Sequence, residues 1–194
     1  MNIIKKHLPD YCYSSRKMES IDGAVIHFVS AKNILPNDPF NLDAILGIFK
    51  QYRVSAKKLI RRDGTVIELV PDNHIAYHAG YSRMNDRDRC NDFTDSFELE
   101  GGIGFDYTDD QMLVLGELLA QSMTKNQYTF DWIKGHDEVR KNWLDKYPKK
   151  AARRKAKGKP ISKKRDPGDH FSWLELKEML AGVSMQIEHN QKMG

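Results

Sequence analysis

The strongest regularities along the chain lie in its apolar spacing. After Asn41, which fits an N-cap, Leu42, Ile45, Leu46, Phe49 and Tyr52 recur in steps of three and four, one face of a helix of about three turns. Thr108-Asp109-Asp110-Gln111 is a capping box with acids in its first turn, and Met112, Leu115, Leu118, Leu119 and Met123 continue it as a second helix. A third follows Phe171-Ser172-Trp173, with Leu174, Leu176, Met179 and Leu180. Between them lie short runs of strand character. Ala24 to Val29 is apolar and rich in β-formers, a buried strand interrupted by His27. Lys57–Ile60 and Val66–Val70 flank an Asp63-Gly64 turn and form a hairpin. Ile75–Tyr77 and Phe130–Lys134 end at His78-Ala79-Gly80 and Gly135-His136. Ser96–Glu100 alternates with period two, so Phe97 and Leu99 share one face and Glu98 and Glu100 the other. Two carboxylates on one strand face mark either an exposed sheet face or the wall of a site.

The remaining stretches lack such periodicity. Residues 1–21 read as an irregular lead-in, Tyr81–Asp95 as a structured surface loop, and 183–194 as a frayed tail. The pattern is α/β, a single domain over residues 22–182, and 194 residues are enough to bury a sizeable core.

Composition narrows the class. A hydrophobic content of 40% with 30% charged residues is that of a soluble globular protein. No apolar run approaches the ~20 residues of a membrane span. Met1–Lys17 has no secretory h-region, so the expectation is a chain that stays in the cytoplasm unless something else releases it. Cys12 and Cys90 are too few for a disulfide framework and read as reduced thiols. The net charge of +4 conceals a polarised distribution. Arg140–Arg165 holds 13 of the 31 Lys/Arg and one of the 27 Asp/Glu, a net of +12, leaving the rest of the chain at −8. The part of it from Lys149 to Lys164 is too poor in apolar residues to pack and reads as an exposed loop.

Candidate chemistry gathers at three places: His27, Gly135-His136-Asp137, and Lys164-Arg165-Asp166-Pro167-Gly168. Two His and one Asp on separate elements make a three-ligand set with an open fourth position, the arrangement a catalytic zinc uses. On residue grounds alone His27 fits a core histidine bonded to a backbone carbonyl equally well. Strand ends gathered on one edge of an α/β sheet would bring these groups together with His78 and Glu98.

Several further motifs stand in a fixed order. They are Val25-Ile26-His27, Val54-Ser55-Ala56, Leu59 to Thr65, Leu69-Val70-Pro71 and Ala76 to Gly80. Arg89 to Phe93, Glu98 to Gly101, Tyr107-Thr108-Asp109, Gly135-His136 and Lys164 to Gly168 complete the set. This ordered set resembles the zinc-dependent N-acetylmuramoyl-L-alanine amidases of type 2, over roughly residues 22–182. The resemblance implies a mixed central sheet flanked by helices, as in the peptidoglycan-recognition fold. It implies zinc held by His27, His136 and Asp166, Glu98 as general base, and Lys164 stabilising the oxyanion, with Glu100 as the fallback base. His78 would lie on the substrate side of the cleft. Lys57 stands where relatives carry an aromatic residue or His, so it would alter the cleft floor or face solvent. The substrate implied is peptidoglycan or a muropeptide, cut between N-acetylmuramic acid and L-alanine. The basic stretch 140–165 favours a bacteriophage-type endolysin held to an anionic envelope. A cytosolic amidase of soluble 1,6-anhydro-muropeptides is the alternative, and a nucleic-acid-binding module is weaker still.

Overall fold

The computed structural model describes residues 1–15 and 20–193, and the apolar patterning sets most of its elements. In chain order these are β1 (Ile3–Lys5), β2 (Tyr13–Ser15), β3 (Gly23–Val29), α1 (Leu42–Tyr52) and β4 (Lys58–Ile60). Next come β5 (Val66–Glu68), β6 (His74–Ala76), β7 (Arg83–Met84), β8 (Arg87–Asp88), β9 (Thr94–Glu100) and α2 (Asp109–Asn126). The chain closes with β10 (Ile133–Gly135), α3 (His136–Lys146), α4 (Pro148–Ala156) and α5 (Trp173–Met193). The Asn41 side chain accepts from the Ala44 N–H at the start of α1. Both halves of the Thr108/Gln111 capping box form at the start of α2.

The principal sheet is mixed, with strand order β1-β5-β4-β9-β3-β10. Only β4 and β5 pair antiparallel within it, as their Asp-Gly turn dictates; β9 lies parallel between β3 and β4, and β10 parallel outside β3. Strand alternation sorts the side chains into two layers. Ala24, Ile26, Ile60, Val66, Phe97 and Leu99 form one face, packed with Leu115, Leu119, Leu176 and Leu180 of α2 and α5. Each such leucine, fully buried, contributes about 1.5–3 kcal/mol of apolar transfer. On the opposite face Leu59 and Ile67 meet Ile45, Leu46 and Phe49 of α1. Val25 packs there with Ala79, Met84, Cys90, Phe93 and Val139. No helix among the described residues is long and apolar enough to cross a membrane.

Three expectations from the sequence need correction. The first residues are not an irregular lead-in: β1 extends the principal sheet alongside β5, and β2 pairs antiparallel with β6. These strands are three residues long, too short for periodicity to register, and residues 16–19 of the lead-in lie outside the described residues. The basic stretch is not all loop. Pro148 opens α4, and Ala151, Ala152 and Ala156 among Lys and Arg are good helix formers that need no burial to form a turn or two. The tail is helical through Met193, because Ser184 and Ile187 bury one side of α5.

Candidate metal centre and cleft

Register delivers the central groups. β3 and β9 pair His27 with Glu98 directly opposite, both near the C-terminal ends of parallel strands. On the other side of β3, Gly135 of β10 pairs with Ile26, so the next residue, His136, begins α3 beside His27. The Asp166 loop is fastened to the same place: the Asp137 N–H donates to the Asp166 carbonyl at 3.0 Å, and the Tyr107 hydroxyl donates to the Pro167 carbonyl at 2.6 Å. Gly135 permits this approach, since a Cβ there would stand 2.8 Å from Pro167 Cδ.

The result is a tight triangle. His27 Nδ1 lies 3.0 Å from His136 Nδ1 and 3.0 Å from Asp166 Oδ2, and His136 Nδ1 lies 2.9 Å from the same oxygen. All three residues are buried. Donor atoms at ~2.0–2.2 Å from a tetrahedral cation stand ~3.3–3.6 Å apart, so the triangle needs to open by only a few tenths of an ångström to seat a small divalent ion. The electrostatics agree. Burial, partly offset by Asp166, pushes the His136 imidazole down to about 4, which keeps it neutral and able to offer a lone pair. Burial disfavours charge on Asp166 too, yet its contacts with His136 and His27 hold its carboxyl well below the usual carboxylate range. Two imidazoles and one carboxylate are a ligand set for a metal with a fourth position open.

Glu98 is buried beside this triangle, and its Oε2 has no hydrogen-bond partner among the described residues. Burial pushes its carboxyl up to about 7, against the pull of His27 and Lys164. Glu100 is a different kind of group. It is wholly buried, bonded to Arg61 Nε at 2.9 Å and to the Arg62 N–H at 3.0 Å, so both its oxygens are held in structure. The two-carboxylate face is therefore a site wall beside a structural ion pair, and no exposed face exists there.

Lys164 is exposed at the rim, where a cleft of about 550 Å³ is lined by Asp137, Arg140, Leu144, Lys163 and Lys164. Lys57 is placed otherwise than expected. It is buried, and its ammonium donates to the carbonyls of Pro71 and Asp72 at 2.6 and 2.8 Å, so it ties down a loop and neither floors the cleft nor faces solvent. His78 is half-buried and stands behind the triangle, its Nδ1 3.0 Å from His27 Nε2. Sequence reading missed Thr94, Asn91 and Arg140, which support this shell. Asn91 Oδ1 accepts from the backbone N–H of His78 and of Ala79. The buried Arg140 guanidinium donates to the Ala79 carbonyl at 3.0 Å and the Ser162 carbonyl at 3.3 Å, tying the His78 loop to the segment leading into Asp166. Their signal was present, four residues past His136 for Arg140 and within or directly after Arg89-Cys90-Asn91-Asp92-Phe93 for Asn91 and Thr94, but only a tertiary contact gives it meaning.

Comparison with known proteins follows the same lines. A family model described as N-acetylmuramoyl-L-alanine amidase matches residues 17–169. The chain is 36% identical over 171 residues to the 1,6-anhydro-N-acetylmuramyl-L-alanine amidase AmpD of Haemophilus influenzae, covering 80% of each chain. It is 33% identical over 129 residues to AmpD of Salmonella typhimurium; that match takes in 66% of this chain but only 58% of the relative's length. A crystal structure of a selenomethionine AmpD derivative superposes with a TM-score of 0.68 at 28% identity, over 90% of this chain and 93% of that one.

Proposed function

The chain belongs to the N-acetylmuramoyl-L-alanine amidase family, and from that premise we propose that it is a zinc hydrolase cutting the amide between N-acetylmuramic acid and L-alanine in soluble 1,6-anhydro-muropeptides. The observation that carries the reading is the convergence of His27 Nδ1, His136 Nδ1 and Asp166 Oδ2 next to a buried carboxyl group, Glu98, with one oxygen that has no partner among the described residues. His27, His136 and Asp166 would hold the zinc, which would supply Lewis-acid polarisation of the scissile carbonyl and a water of pKa lowered toward ~7. Glu98 takes the proton of the attacking water and returns it to the L-alanine nitrogen as the C–N bond breaks, the task of a carboxyl poised near neutrality. Lys164, cationic at the rim two residues before Asp166, stabilises the oxyanion that develops on the former carbonyl. Arg140 and Tyr107 hold the loops that bear these groups.

The relatives' own names, 1,6-anhydro-N-acetylmuramyl-L-alanine amidase, support a soluble substrate over the endolysin that the basic stretch suggested. With part of that stretch folded as α3 and α4, and Arg140 and Leu144 of α3 lining the cleft, an envelope anchor is not needed to account for it. The test gives the purified, zinc-loaded protein both substrates, a soluble anhydro-muropeptide and intact sacculi, and reads the products by mass spectrometry. Free L-alanine-terminated peptide from the soluble substrate, at a far higher rate than from sacculi and abolished by a chelator, is the expected result. Release from sacculi at an equal or higher rate reinstates the endolysin, and release from neither removes the amidase reading.

A further inference from the structure

A chain of hydrogen bonds runs back from the triangle into the fold: Cys90 carbonyl, Thr94 hydroxyl, His78, His27. Its proton positions can be worked out from one end. The Thr94 hydroxyl donates its only hydrogen to the Cys90 carbonyl at 2.7 Å. Toward His78 Nε2, 3.3 Å away, the same oxygen can only accept, so Nε2 of His78 carries a hydrogen. The other ring nitrogen, Nδ1, then accepts from His27 Nε2 at 3.0 Å. With its hydrogen on Nε2, His27 is left with a lone pair on Nδ1, 3.0 Å from both His136 Nδ1 and Asp166 Oδ2, so the relay acts against the pull of that carboxylate for a hydrogen on Nδ1.

We propose that Thr94 and His78 are positioning residues that fix the tautomer and ring direction of His27, and so set the affinity of the His27–His136–Asp166 triangle for its cation. The inference rests on reading that triangle as a metal site. Its parts are held in place. Thr94 opens β9 and is buried, and the two imidazoles meet nearly perpendicular, at 87°, an arrangement that an N–H directed at a ring nitrogen permits. The Asn91 amide oxygen holds the backbone of the His78 loop through the N–H groups of His78 and Ala79, at 3.3 and 2.7 Å. The stretch Cys90-Asn91-Asp92-Phe93-Thr94 thus grips His78 by its main chain and its ring. His136 is the internal contrast. Its Nε2 is buried with no partner among the described residues, and the group that sets its tautomer is the Asp166 carboxylate, 2.9 Å from Nδ1. In the metal-free protein the two ligands accordingly differ: His27 keeps its hydrogen on Nε2, and His136 places one on Nδ1, toward Asp166.

A group that orients a liganding histidine typically accounts for ~10–100-fold in metal affinity. The test measures zinc affinity by competition with a chromophoric chelator for wild type, Thr94→Val, Thr94→Ser and His78→Phe. It is paired with nitrogen-15 spectra of histidine-labelled, metal-free protein, which report the tautomer of each ring. Thr94→Val and His78→Phe are expected to weaken zinc binding by about 10–100-fold and to mix the His27 tautomers. Thr94→Ser, which keeps the hydroxyl, is expected to restore both. Serine rescue separates proton placement from packing, and His78→Phe tests the same relay from a half-buried position should Thr94→Val fail to fold. Affinity unchanged within about threefold, with His27 still hydrogen-bearing at Nε2 in both relay variants, overturns the proposal. A wild type that binds no zinc at all overturns instead the reading of the triangle as a metal site.

Discussion

Replacing Glu98 with glutamine should make the metal-free protein more stable while removing its activity, and the size of both effects follows from where the carboxyl sits. Glu98 is buried, with an oxygen that no group among the described residues satisfies, and burial raises its pKa from 4.5 to about 7. Between those values the folded chain holds a proton that the unfolded chain has released, so stability is lost as pH rises through the interval. At about 1.4 kcal/mol per pH unit, the full shift corresponds to about 3 kcal/mol, reached near pH 8 and absent below about pH 4. Glutamine has nearly the same shape and does not titrate. Glu98→Gln should therefore match wild type at pH 4 and exceed it by about 3 kcal/mol at pH 8, roughly 6–12 °C in melting temperature for a chain of this size. The assay is a series of thermal melts from pH 4 to 9 with chelator present, because a cation beside the carboxyl would favour its ionised form. Turnover of the zinc-loaded variant should fall by about 10²–10⁴-fold, the usual share of a general base. Melting curves that run parallel at every pH would show that Glu98 is not held in a desolvated environment. Undiminished turnover would take the base role from it.

Three other outcomes test the surrounding structure. His136→Ala should lose stoichiometric zinc by elemental analysis along with turnover; a variant that retains one zinc per chain removes His136 from the ligand set. Glu100→Gln should cost about 2 kcal/mol in chemical denaturation, discounted for the partly exposed Arg61, while turnover stays within severalfold of wild type, since both its oxygens are committed to Arg61 and Arg62. A loss of turnover like that of Glu98→Gln would make it part of the chemistry. Lys57→Met should destabilise by about 2 kcal/mol, because the Pro71 and Asp72 carbonyls lose a charged donor, and should leave the Michaelis constant unchanged. A raised Michaelis constant without loss of stability would put Lys57 in the substrate cleft after all.

What could be read from the sequence, and what could not, divides along the range of the interactions involved. Asn41, the Thr108–Gln111 box, the Asp63-Gly64 turn and the strand bearing His27 all act within a few residues, so local pattern was enough to place them. The three proposed ligands were legible as well, each standing at the end of a periodic segment or in a turn motif. Their convergence was expected only from the α/β pattern and the family resemblance, for it depends on β3 being flanked by β9 on one side and β10 on the other, a register that no segment encodes alone. The same limit explains the errors. Lys57 and Glu100 are charged residues within strand patterns, and the sequence offered only solvent or cleft as destinations. Their partners are backbone carbonyls 14 and 15 residues away and an arginine 39 residues away. Thr94 and Asn91 were invisible for the opposite reason, being short polar side chains that look like turn residues until His78 is set against them. A site of this kind is thus built from two classes of residue. The atoms that would touch the metal announce themselves by type, whereas those that decide how well they hold it are ordinary residues whose work appears only when the fold supplies their neighbours.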